Sequence, residues 1–222
     1  MISRILPPAV SSAETFGDIA GATLFPAEEA AMAAAGGSRR AEFATARACA
    51  RAALAGLGLP AAPILPGLAG EPRWPAGVTG SITHCTGYRA CAIAPSSALA
   101  AVGIDAEPDL PLPSSVLDAV AIAAERAWLA ECMSAAPRVN WDRLLFSAKE
   151  SVYKAWFSLT GRRLRFEDAA VVADPAGGRL TARLLKPGPA EERQPARLEG
   201  RWLAADGLVV TTIAIPAPRP AR

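Results

Sequence analysis

Asp105 and Glu107 stand two apart at the end of an apolar run, Leu99-Ala100-Ala101-Val102-Gly103-Ile104. In extended backbone both side chains point the same way, giving paired oxygen donors that suit a hard cation such as Mg²⁺. Two solvated acids after a strand is the plain alternative. About forty residues later comes Phe146-Ser147-Ala148-Lys149-Glu150-Ser151-Val152-Tyr153-Lys154. Glu150 and Lys154 at i,i+4 on a helix would form a surface ion pair, worth a few tenths of a kcal/mol. Alternatively, Glu150 meets Asp105 and Glu107 in a three-carboxylate cation site, with the lysines neutralising phosphate oxygens. The chain has only three lysines, Lys149, Lys154 and Lys186, and two of them fall in this stretch.

His84 is the only histidine. It ends a strand pattern, Ser81-Ile82-Thr83-His84-Cys85, where it is either structural or a hydrogen-bond donor to phosphate. Cys85 points to the opposite strand face, which argues against a Cys-His nucleophile. Arg39, Arg40, Arg47 and Arg51 cluster on one helix as either a solvated face or an anion site. No Walker-type loop or G-x-G-x-x-G segment appears, which excludes the common nucleotide-binding fingerprints.

The elements that must position these residues follow from periodicity. A short strand is expected at Ile2 to Leu6, then a turn-rich stretch. Pro26 begins a helix that stops at Gly36-Gly37. Ser38 caps a second helix, Arg39 to Leu57, whose buried stripe is Phe43, Ala46, Ala50, Leu54 and Leu57. Pro60 to Gly80 is a long Pro- and Gly-rich loop of the kind that binds something. Strands follow at 80–84, 89–94 and 99–105. Helices are expected at 114–124, 125–133 and 141–159, then strands at 169–173, 179–185, 200–204 and 208–215. The order lacks βαβ alternation, so the expected fold is α+β, divided near residue 102 into halves 1–102 and 103–222. The tail from Pro216 is expected to be disordered.

Composition sets the frame. The 222 residues are 51% apolar and 20% charged, with a net charge of +2. That charge is too small to indicate nucleic acid or a membrane surface. Four cysteines without C-x-x-C spacing read as buried thiols in a cytoplasmic protein. No signal peptide or membrane span is legible.

Together these segments resemble the Sfp-type 4′-phosphopantetheinyl transferases, especially actinobacterial members. The resemblance rests on Arg39-Arg40-x-Glu42-Phe43 with Arg47 and Cys49-Ala50-Arg51, and on Gly70-Glu71-Pro72-x-Trp74-Pro75. It continues through Gly80-Ser81-x-Thr83-His84-Cys85, Gly103-Ile104-Asp105-x-Glu107 and Lys149-Glu150-x-x-x-Lys154. It implies two similar halves in a pseudo-two-fold monomer with coenzyme A in the cleft between them. It implies Asp105, Glu107 and Glu150 as Mg²⁺ ligands, with Glu150 as general base and Lys154 assisting at the phosphates. Lys149, His84, Arg39 and Arg47 would grip the phosphates of coenzyme A, and Thr83 would contribute through its backbone. The implied acceptor is the serine of an apo acyl or peptidyl carrier protein. A non-catalytic coenzyme A- or carrier-binding module and a Mg²⁺-dependent phosphohydrolase are the competing readings.

Overall fold

A computed structural model describes residues 1–185 and 195–218. Lys186 and the last residues of the tail, 219–222, lie outside the described residues. The strands are β1 (Ser11–Phe16), β2 (Val78–Cys85), β3 (Tyr88–Pro95), β4 (Leu99–Pro108), β5 (Ala169–Ala173), β6 (Arg179–Leu184), β7 (Arg197–Ala205) and β8 (Leu208–Pro216). The helices are α1 (Pro26–Ala31), α2 (Gly37–Gly56), α3 (Ser114–Val120), α4 (Ala123–Ala135) and α5 (Trp141–Thr160). The fold is mixed helix and sheet. A three-stranded sheet runs β1-β3-β2 and a five-stranded sheet β4-β8-β7-β6-β5.

Two expectations fail at the N-terminus. Ile2 to Ile5 forms a 3₁₀ turn, not a strand, because Ile2 and Ile5 at three-residue spacing are buried together. The turn-rich stretch contains β1, whose polar Ser-Ser-Ala-Glu-Thr carries no apolar alternation and is held by its ladder with β3. The helix expected to run past Val120 breaks at Ala121, which is extended. Glu125 then caps α4 by accepting the Ile122 amide at 2.9 Å.

Helix α2 packs on the small sheet through Cys49, Ala50, Ala53 and Leu54 against Cys91 and Ile93. Helix α5 packs on the large sheet through Trp141, Leu144, Leu145, Ala148, Val152 and Trp156. It lies unusually close to β4. A Cβ built on Gly103 would come within 2.0 Å of the Ser151 carbonyl oxygen, so only glycine allows this approach. Ser147 and Ser151 also reach the Thr211 hydroxyl on β8, at 2.9 and 2.7 Å.

The two sheets meet without a backbone ladder between β2 and β4. Instead, the Ser81 hydroxyl accepts the Ile104 amide at 3.1 Å and the Thr83 hydroxyl accepts the Ala106 amide at 3.0 Å. Alternate hydroxyls of β2 thus satisfy alternate amides of the β4 edge. Among the described residues no helix is long and apolar enough to cross a membrane.

Candidate active site

Strand β4 delivers Asp105 and Glu107 toward α5, since Gly103, two residues earlier, faces that helix. Asp105 is 5% exposed. Its Oδ1 accepts from Lys154 Nζ at 2.6 Å and from the Thr83 hydroxyl at 3.2 Å. Lys154 also donates to the Ile104 carbonyl at 3.0 Å. Asp105 Oδ2 is buried and has no hydrogen-bond partner. An orphaned carboxylate oxygen is costly, and a bound cation would satisfy it.

Glu150 is half-buried. Desolvation pushes its carboxyl up from the usual range, with Lys154 opposing and Asp105 adding to the rise. Glu107 is raised by desolvation and by Asp105, against the pull of Arg143. Arg143, in the first turn of α5, donates to Glu107 Oε2 at 3.2 Å and to the Leu110 and Pro111 carbonyls at 3.0 and 3.1 Å. The carboxylates therefore influence one another electrostatically. Among the described residues, however, no three His, Cys, Asp or Glu side chains converge as a closed ligand set. Lys154 and Arg143 pair instead with Asp105 and Glu107, at 2.6 and 3.2 Å. The orphaned Oδ2 and the all-carboxylate donors fit a hard divalent cation.

Opposite these acids, Arg39 brings Nη1 to 3.2 Å from His84 Nε2. Glu42 holds Arg39 at 3.3 Å and Arg89 at 3.2 Å, so a chain of charges from β3 fixes the guanidinium. Desolvation first, then Arg39, lower the His84 pKa below its ordinary value. Arg40 turns the other way, onto Glu29. Of the adjacent pair, Arg39 is the one that meets His84.

Two expected phosphate contacts, Lys149 and Arg47, are placed differently. Lys149 is 3% exposed and points into the core of the large-sheet half. It pairs with Glu125 at 2.7 Å and donates to the Val120 and Phe166 carbonyls at 2.9 and 2.7 Å. It does not join Asp105, Glu150 and Lys154. Arg47 is also buried, with its guanidinium 3.6 Å from the Phe43 ring centroid and its Nε donating to the Ile64 carbonyl at 2.9 Å. Burial lowers its pKa to about 10. Arg47 thus anchors the long loop, whose Ile64 amide is held in turn by the buried Glu28 at 2.8 Å. The Thr83 side chain serves Asp105 and Ala106.

That loop closes one side of a cavity of about 210 Å³. Its walls are Glu71 and Trp74 from the loop, Ser81 from β2, and Tyr153, Lys154 and Phe157 from α5. Lys154 is thus shared between the cavity and Asp105. Arg143 was not singled out from the sequence, and Glu42 and Arg89 carried no role there: Glu42 stood only beside the arginines of the resemblance, and Arg89 inside a strand pattern.

Comparison with known proteins covers most of the chain. Residues 27–94 match the 4′-phosphopantetheinyl transferase N-terminal domain, and residues 101–206 match the 4′-phosphopantetheinyl transferase superfamily. The chain belongs to the 4′-phosphopantetheinyl transferase family and is an enzyme of that class. It is 52% identical to the 4′-phosphopantetheinyl transferase Svp of Streptomyces mobaraensis, over 98% of this chain and 90% of the relative. It is 46% identical to PptT of Mycobacterium tuberculosis (strain ATCC 25618 / H37Rv), over 97% of this chain and 98% of that protein. It is likewise 46% identical to Npt of Nocardia iowensis, over 96% and 99% of the two chains.

Proposed function

We propose that this chain, acting as a cytoplasmic monomer, moves 4′-phosphopantetheine from coenzyme A to a serine hydroxyl of an apo acyl or peptidyl carrier protein, releasing 3′,5′-ADP. The observation that carries this reading is Lys154, which pairs with the buried Asp105 at 2.6 Å and also lines the loop-walled cavity, one helical turn after Glu150. Half 1–102 supplies the phosphate-facing cations Arg39 and His84. Half 103–222 supplies the carboxylates.

Asp105, Glu107 and Glu150 are the residues that would hold Mg²⁺, which when bound offsets the phosphate charge that repels an oxygen nucleophile. Glu150, raised by burial, takes the serine proton; positioned bases contribute about 10²–10⁴-fold in typical enzymes. Lys154, paired with Asp105 and lining the cavity, faces charge developing on the phosphoryl oxygens. Arg39, held by Glu42, and His84 bind the remaining phosphates of coenzyme A. Trp74, Tyr153 and Phe157 give the cavity the apolar walls that a pantetheine arm needs.

The test is intact-mass spectrometry of apo carrier proteins incubated with the purified chain, coenzyme A and Mg²⁺. One phosphopantetheinyl addition per carrier, abolished by chelating the metal, is expected. No addition on any of several carriers contradicts the proposal. Release of phosphate or ADP without a carrier points instead to a phosphohydrolase.

A further inference from the structure

A second cavity, about 400 Å³, lies away from the cleft between the Ile5–Pro8 segment and the outward face of β6 and β7. One cross-strand row defines its floor. Arg179 stands directly opposite Arg201, Arg201 opposite Thr212, and Thr212 opposite Ile104. Ile104 points away from α5 into the cluster that includes Ile2 and Ile5, so this row is on the reverse face from Asp105.

The row holds two unresolved costs. Like charges directly opposite in an antiparallel pair destabilise the sheet, and Arg179 faces Arg201 in register. The neighbouring pair Arg183–Arg197 repeats the arrangement. There Arg197 has partners, Glu199 and Thr181, both at 3.3 Å. Arg179 and Arg201 are exposed and have no acidic partner among the described residues. The second cost is Thr212, 1% exposed, whose hydroxyl has no hydrogen-bond partner. Its neighbour Thr211, on the other face, bonds to both Ser147 and Ser151. Thr212 lines the cavity beside these two guanidiniums.

We propose that this cavity binds a small phosphate monoester. The forked guanidiniums of Arg179 and Arg201 match phosphoryl oxygens, and an anion between them removes their mutual repulsion. Thr181 offers a hydroxyl at the ester end, Glu199 in the same lining is held by Arg197, and Ile5, Leu6, Pro7 and Pro8 form an apolar wall for a compact organic group. The volume falls in the range of small-molecule sites, roughly 300–1,000 Å³. The inference does not depend on the transferase mechanism.

The experiment is calorimetric titration of the full chain with phenyl phosphate at low ionic strength, after the cleft has been saturated with coenzyme A. Saturable binding is expected, with inorganic phosphate weaker because it leaves the apolar wall uncovered. Arg201→Gln and Arg179→Gln should each weaken phenyl phosphate by about tenfold, as for loss of a charge-assisted bidentate contact. Neither variant should change coenzyme A affinity or the transfer rate. Without ligand both should melt at or above the wild-type temperature, since a like-charge pair is relieved. Absence of saturable binding to the wild type overturns the proposal, and so does binding of equal strength in both variants.

Discussion

The Thr83 hydroxyl stands 3.2 Å from Asp105 Oδ1 while accepting the Ala106 amide at 3.0 Å, so a side chain of β2 fixes an acid presented by β4. With Lys154 on the same oxygen at 2.6 Å, Oδ1 is fully engaged and Oδ2 is left over. Thr83→Val keeps the volume and removes both bonds. It is expected to cost about 1–3 kcal/mol of stability and to lower kcat by at least about tenfold, with coenzyme A affinity retained. Thr83→Ser should restore most of the rate. Steady-state kinetics beside calorimetry of coenzyme A binding separates these effects.

Lys149 should behave as a core residue. Burial lowers its pKa while Glu125 holds it charged. Lys149→Met strands Glu125, which also accepts the Val171 amide at 2.8 Å. The expected loss is about 3–5 kcal/mol in chemical denaturation, with the coenzyme A affinity of the folded fraction unchanged. Adding Glu125→Gln should recover part of that stability.

His84 gives a clean titration because it is the only histidine. Its pKa is lowered by desolvation and then by Arg39, so its proton NMR midpoint should fall below 6.5. The unfolded chain then binds the proton more readily than the folded one. Stability supplied by this group is complete above pH 6.5 and is lost as pH falls through the folded value. Coenzyme A, bringing phosphate to the imidazole, should move the midpoint upward.

Gly103→Ala places a methyl group against backbone, at 2.0 Å from the Ser151 carbonyl oxygen and 2.7 Å from the Ala155 amide nitrogen. Helix α5 must move, and the strain should cost roughly 1–3 kcal/mol or more. The transfer rate should fall further than the melting temperature suggests, because Lys154 leaves Asp105 as the helix shifts.

Much of this arrangement was legible before the structure. The elements from β2 to β8 follow apolar periodicities, and Asp105, Glu150 and Lys154 announce themselves by residue type and order. The lysine pair misled because scarcity says nothing about direction. Five residues along a helix amount to about 140° of rotation, so Lys149 and Lys154 belong to opposite flanks, whereas Glu150 and Lys154 lie about 40° apart. Arg47 has the same ambiguity: its stem begins on the flank of the buried stripe, and only the folded loop shows that Ile64 claims it. The hydroxyl seam of Ser81 and Thr83 pairs residues more than twenty positions apart, and β1 depends wholly on β3. Such partners carry no local signal.

Glu150 is the proposed proton acceptor, and the proposed grip on coenzyme A comes from other residues. Glu150→Gln preserves shape and removes the base, so single-turnover transfer from coenzyme A to an apo carrier is its most direct measurement. A rate lower by at least about a hundredfold is expected, with coenzyme A bound nearly as tightly through Arg39, His84 and Lys154. Transfer at the wild-type rate would contradict the assignment.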